Sequence, residues 1–263
     1  MNDLLAALLL GIIEGITEFL PISSTGHLLI AERWLGHRSD LFNVAIQAGA
    51  ILAVVLIYRE RLWQLVTGLG DAANRDYAAK LAVAFLITAV LGFIATKLGF
   101  KLPESVTPVA WALILGGFWM VAAERLAERQ PQRTEITWRV AILVGLAQVV
   151  AGIFPGTSRS AATIFVAMLA GTGNRSAATE FAFLVGIPTM FAASAYELLK
   201  TFHSGTEHED WSALAIAFVV SLITAFVAVK WLLGYIRTHR FTAFAVYRIV
   251  LGIALLIALP AGV

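Results

Sequence analysis

Two short stretches place reactive residues inside an otherwise apolar chain. In the first, GIIEGITEFLPISSTGH over residues 11–27, Glu14 and Glu18 precede Ser23, Ser24, Thr25 and His27. Glutamates four apart share one helix face, about 6 Å apart along the axis. Two carboxylates on one face within a membrane are costly unless they bind a cation, share a proton or face water. A divalent metal held by carboxylate oxygens fits, and so does a general base. The plainer alternative is an interfacial helix with its glutamates turned to water. The apolar residues on both sides of EGITEFLP speak against it.

If STGHLLIAERW begins a helix, Ser24 and His27 meet on its first turn. A hydroxyl beside an imidazole is what an activated nucleophile requires. The start of that helix also offers free backbone N–H groups to an anion. Simple N-capping explains one hydroxyl and leaves His27 unaccounted for. In the second stretch, FPGTSRSAATI over residues 154–164, Arg159 opens another half-helix among Thr157, Ser158, Ser160 and Thr163. An arginine fork at a helix N-terminus, ringed by hydroxyls, suits a phosphate; snorkelling to the interface is the alternative. The first stretch supplies carboxylates, hydroxyls and an imidazole, and the second a phosphate-binding cation. Their pairing suits phosphoryl transfer from a substrate whose tail lies in lipid.

The site expected from these residues is Glu18, Ser24, His27 and Arg159 for catalysis and Glu14 with Glu18 for a metal. Ser23, Thr25, Thr157, Ser158, Arg159 and Ser160 would bind phosphate. Three routes stay open: Ser24 attacking with His27 as its base, His27 attacking, or water activated by Glu18. Arg248, in AVYRIVLG, reads as reaching the cytoplasmic surface rather than as a second cation for the site.

The elements that must carry these residues are membrane helices. Of 263 residues 59% are hydrophobic and 14% charged, with a mean hydropathy of +0.83; soluble domains are about one quarter charged. A net charge of +2 with no basic run excludes nucleic acid as a partner. The absence of cysteine excludes disulfides and thiolate metal sites. MNDLLAALLLGIIEG lacks a basic n-region and a small-residue cleavage site, and is expected to belong to the mature protein.

Six stretches approach the roughly 20 apolar residues that span a bilayer: about 41–58, 80–98, 106–124, 180–198, 212–232 and 241–260. Two further apolar regions, about 4–32 and 139–173, are broken by LPISSTG and FPGTSRS. Backbone exposed at membrane depth is tolerated only when shielded by protein or lining a wet cavity, so both are expected to be re-entrant helix–loop–helix elements. Lysine and arginine mark loops 59–80, 124–139 and 230–240 as cytoplasmic. Loop 197–211, with Glu197, Glu207, Glu209 and Asp210 against Lys200, is expected outside. Loop 97–104, with Lys97 and Lys101, must then also lie outside and fits least well.

At an offset of 134, from Pro21 to Pro155, GIIEGITEFLPISS lies over GLAQVVAGIFPGTS. Glu14 then falls on Gln148, Ser23 on Thr157 and Ser24 on Ser158. The spans obey the same shift. The expected fold is therefore an all-α integral membrane protein: six transmembrane helices plus two re-entrant elements in one membrane domain. Repeat one covers about 1–130 and repeat two about 135–263. Three spans per half is odd, so the halves are inverted, an arrangement frequent in transporters.

EGITEFLPISSTGH and PGTSRSAATI closely resemble the two signature motifs of the undecaprenyl pyrophosphate phosphatases, the bacitracin-resistance family of bacterial membranes. The resemblance extends over essentially the whole chain. It implies hydrolysis of undecaprenyl diphosphate to the monophosphate, which recycles the lipid carrier of peptidoglycan synthesis. It also implies a divalent cation, magnesium or calcium, a place in the bacterial plasma (inner) membrane and a catalytic face turned outward. By motif, Glu14 and Glu18 match the family's acidic pair, Ser24 and His27 its catalytic loop, and Arg159 the arginine of its second motif. Membrane lipid and the polyprenyl diphosphate are the expected partners; a homodimer is left open. The rival from another class is a polyprenyl-phosphate flippase or ion-coupled transporter. A purely structural membrane scaffold leaves Glu14, Glu18, His27 and Arg159 without a reason.

Overall fold

Capping side chains and helix breakers divide the chain into eleven helices among the described residues. The computed structural model describes residues 3–100, 105–204 and 210–258. The first half holds α1 (Asp3–Thr17), α2 (Ser24–Leu35), α3 (Asp40–Ile57), α4 (Arg59–Thr67), α5 (Ala72–Lys97) and α6 (Val106–Ala127). The second holds α7 (Trp138–Ile153), α8 (Arg159–Ala170), α9 (Arg175–Ser204), α10 (Trp211–Tyr235) and α11 (Thr242–Ala258). Ser39, Asp71, Thr137 and Asp210 cap α3, α5, α7 and α10, each accepting backbone N–H bonds that the first turn leaves free.

Five of these helices, α3, α5, α6, α9 and α10, are long and apolar enough to cross a membrane. The sixth expected span, α11, is apolar but 17 residues long as described. Exposed apolar side chains run along their outer faces, with Leu86, Val90 and Ile94 on α5 and Val219, Ile223 and Val227 on α10. In water such stripes would drive aggregation; against lipid tails they cost nothing. This is a multi-pass membrane protein. The basic segment 59–80, expected as a loop, instead contains α4 and the start of α5, and Lys230 lies within α10. Lys101, Glu207 and Glu209 fall outside the described residues.

Small residues bring the helices close. A Cβ at Gly11 of α1 would meet the Ala217 carbonyl oxygen of α10 at 2.5 Å. One at Gly117 of α6 would meet the Ala245 carbonyl oxygen of α11 at 2.8 Å. The central core joins Ala50, Ile51 and Val54 of α3 to Phe181, Ala182 and Val185 of α9. Without water between helices, such backbone approach gains dispersion contacts rather than hydrophobic burial.

Both apolar regions are broken at the two motifs, between α1 and α2 and between α7 and α8. At about 1.5 Å per residue, α1, α2, α7 and α8 are each too short to cross about 30 Å of hydrocarbon. The helices after the breaks are alike: α2 and α8 both have 12 residues, and Ser23 and Ser158 cap them with φ of 76° and 65°. These are the only non-glycine residues with positive φ among those described. The two serines are 135 positions apart, not 134. Gly156 and Thr157 occupy the turn where the first loop has Ile22 alone, so Ser24 corresponds to Arg159 rather than to Ser158. The residue alignment after the proline is corrected accordingly.

Candidate active site

The residues that open α2 and α8 converge on one carboxylate. Glu18 follows α1 directly, its N–H still bonded to the Glu14 carbonyl at 2.9 Å, so both glutamates keep helical spacing on one face. The Ser24 hydroxyl donates to Glu18 Oε2. Arg159 Nη2 donates to Glu18 Oε1 at 2.6 Å. Glu18 is buried, at 3% side-chain exposure, while Arg159 keeps 26%. The arginine therefore retains N–H groups that reach open space. That space is a cavity of about 650 Å³ walled by Glu18, Ser23, Ser24, Thr25, Ser158 and Arg159 at one end.

Strained backbone aims these groups. A serine held at positive φ costs roughly 1–3 kcal/mol. The Ser23 hydroxyl accepts from Gly26 N–H at 3.4 Å, and Ser158 accepts from Ala161 N–H at 3.3 Å. Ser160 donates to the Leu20 carbonyl at 3.1 Å, and Ser158 in turn lies 3.1 Å from the Ser160 hydroxyl. Leu20 belongs to the first loop and Ser160 to the second, so this bond joins them. Of the hydroxyls expected to bind phosphate, Ser23, Thr25 and Ser158 line the cavity. Ser160 and Thr157 are not among its lining residues. Thr163 returns its hydroxyl to the Arg159 carbonyl at 2.8 Å.

His27 is not brought to Ser24. Its Nδ1 lies 2.7 Å from the Ser23 carbonyl and its Nε2 lies 2.7 Å from the Tyr247 hydroxyl. A carbonyl only accepts, so Nδ1 carries the proton and Nε2 accepts from tyrosine. The imidazole stacks on the Tyr247 ring at 5.6 Å. The expected hydroxyl–imidazole pair is replaced by a hydroxyl–carboxylate pair, and His27 braces the strained Ser23 instead.

Arg248 corrects a second expectation. It is fully buried, at 0% exposure, and does not reach the surface. Its guanidinium donates to the carbonyls of Gly156 (2.8 Å), Thr157 (3.0 Å), Ala112 (3.1 Å) and Pro21 (3.4 Å). It thus ties both loops to α6. A built Cβ on Gly116 would collide with this guanidinium, which is why α6 carries glycine there. No sequence signal near Arg248 could reveal these acceptors, because they come from three distant segments. Arg248→Lys keeps the charge but not the fork. Each buried carbonyl it leaves bare should cost about 1–3 kcal/mol. A fall of several degrees in the unfolding temperature in detergent is expected; an unchanged temperature would show that these bonds do not hold the loops.

Glu14 is buried, and neither of its carboxylate oxygens has a hydrogen-bond donor. It faces Glu18. Gln148, its partner at the offset of 134, is also buried and donates to the Thr88 hydroxyl at 3.2 Å.

Residues 7–254 match the family described as bacitracin resistance protein BacA. The chain belongs to that family. Every residue of the site described above lies within the matched span. Relatives named undecaprenyl-diphosphatase match at comparable length. One from Rhizobium johnstonii is 72% identical over 255 residues, covering 97% of this chain and 96% of the relative. One from Rhizobium leguminosarum bv. trifolii is 73% identical over 256 residues, with the same coverage. One from Xanthomonas euvesicatoria pv. vesicatoria is 66% identical over 263 residues, covering 100% of this chain and 99% of the relative.

Proposed function

We propose that this chain hydrolyses undecaprenyl diphosphate to undecaprenyl phosphate and inorganic phosphate, recycling the lipid carrier of cell-wall synthesis. The observation that carries the reading is Glu18 bonded at once to the Ser24 hydroxyl and to Arg159. A nucleophile, its base and a phosphate-binding cation so arranged suit phosphoryl transfer. Family membership and the relatives' names supply the substrate class.

In this mechanism Arg159 turns its free N–H groups to the terminal phosphate. Ser24 Oγ attacks the terminal phosphorus while Glu18 takes the hydroxyl proton. The bond from that phosphorus to the bridging oxygen breaks, and lipid monophosphate leaves with the electron pair and the proton held by Glu18. Glu18 then takes a proton from the water that attacks phosphoserine, and returns it to Ser24 as inorganic phosphate departs. His27 acts by holding the Ser23 carbonyl, which fixes where Ser24 points.

A divalent cation fits the residues present. The Glu14 oxygens are buried without donors beside Glu18, an all-oxygen set suited to magnesium or calcium. No group of three or more acidic, histidine or cysteine side chains forms among the described residues, so phosphate oxygens and water would complete the shell. Glu14 and Glu18 would hold the ion, and its charge would offset the negative charge gathering on the diphosphate.

Phosphate release from undecaprenyl diphosphate by the purified protein tests the reading, and a flippase or transporter would release none. Acid-quenched reactions should trap a phosphoenzyme in the unmodified protein, and Ser24→Ala should abolish it. A phosphoenzyme that persists in Ser24→Ala would assign the attack to His27.

The same proposal covers topology. Two capped 12-residue helices at matching positions support an inverted repeat of three spans and one re-entrant element per half; the inner membrane and an outward-opening cavity go with the phosphatase reading. A cysteine placed at Ser204 should label from outside and one at Gln132 from the cytoplasm. Labelling from one side would remove the inverted topology.

A further inference from the structure

We propose that the gap between α5 and α9 is the seat of the substrate's isoprenoid tail; this rests on the phosphatase reading above. The charged groups of the cavity are gathered at one end: among the described residues Glu18 and Arg159 are the only charged side chains in its wall, and the remaining polar ones are neutral hydroxyls and amides. From there α5 presents one face. Phe85, Thr88, Ala89, Gly92, Phe93 and Thr96 recur at helical spacing, so a single stripe follows the cavity for about 16 Å of helix, and Phe100, past the end of α5, lines it too. Opposite it, α9 offers Thr189, Ala192, Ala193 and Tyr196 from one helix face, and Gly152 of α7 adds to the wall.

This surface suits one class of occupant. A polyisoprenoid has no hydrogen-bonding group, carries a methyl branch on every unit, and must extend away from the site while its diphosphate is bound there. A wall of mainly aromatic, alanine and glycine residues with uncharged threonines between them, continuous with the phosphate-binding end, meets each requirement.

The helices themselves show why the tail leaves here. Near their other ends α5 and α9 touch, with the Tyr77 and Phe181 rings 5.8 Å apart, edge to face. Beyond that contact they face each other across the cavity. The seam between α3 and α10 is shut. Ser221 donates to the Ile46 carbonyl at 2.7 Å, and a Cβ on Gly49 would meet the Phe218 carbonyl oxygen at 2.5 Å. A lipid chain cannot pass there.

Gly92 and Gly152 allow a direct test, because a Cβ built on either meets nothing within 4 Å. Tryptophan at either position would project into the cavity without disturbing helix packing. Gly234 is equally open and lies outside the cavity, so Gly234→Trp serves as the control. Phosphate release would be measured with undecaprenyl diphosphate and with short-chain farnesyl diphosphate. For Gly92→Trp and Gly152→Trp, the ratio of kcat/KM values, long chain over short, should fall about tenfold or more, as expected for blocking an apolar pocket. The ratio should be unchanged in Gly234→Trp. An unchanged ratio in both cavity variants would overturn the proposal. A second readout needs no turnover: undecaprenyl phosphate carrying a diazirine along its chain, photolysed on the unmodified protein. Cross-links on α5 and α9 would support the tail path even if phosphate release failed; cross-links confined to other helices would overturn it.

Discussion

Glu18→Gln is expected to lower turnover at least about a hundredfold, the lower range for removing an acid–base group. The amide keeps the size of the side chain but cannot accept the serine proton. It also places an NH2 group against either the Ser24 hydroxyl or the Arg159 guanidinium, both of which now donate to carboxylate oxygens. With its carbonyl turned to Arg159, the amide offers its NH2 to Ser24, whose hydroxyl then accepts rather than donates, so the serine proton loses its acceptor. The loss should appear in kcat with both loops still folded. Glu14→Gln touches neither contact; its effect should be a higher divalent-cation requirement. Near-normal turnover of both variants at saturating cation would leave the acidic pair without a chemical role.

Arg159→Lys is expected to lose hydrolysis almost as severely while the protein stays folded. The guanidinium gives one N–H to Glu18 and keeps others exposed to the cavity. A lysine ammonium concentrates its charge at one point and cannot hold Glu18 and a phosphate edge-on in one plane. Removing a single donor aimed at developing charge costs about a hundred- to a thousandfold in turnover. Steady-state kinetics with a diphosphate-binding measurement would show both weaker binding and slower turnover. Normal kinetics would reduce Arg159 to an interface anchor.

The parts of this protein legible in its sequence are those decided locally. Apolar runs located five membrane-length helices and α11, because the length needed to cross hydrocarbon is a property of each segment alone. Proline and glycine marked both breaks, and the residues that converge on Glu18 were all within the two motifs. What spacing could not reach is side-chain direction after a strained turn. Ser24 and His27 share a helical turn, yet one bonds back to Glu18 and the other across to Tyr247, 220 positions away. The extra residue in the second loop, which sets Arg159 rather than Ser158 opposite Ser24, was invisible for the same reason: it is defined by where φ turns positive, not by the proline.

By itself, then, the chain determined a multi-pass helical membrane protein with two broken segments carrying carboxylates, hydroxyls and an arginine. Only the tertiary structure decided that Arg248 is buried. A lone cation in a span can snorkel to water or find acceptors within, and the carbonyls that hold Arg248 come from α6 and both loops. It likewise decided that Glu18, not His27, receives the Ser24 hydroxyl. That choice depends on α1, α2 and α8 meeting at one point, which no single segment encodes.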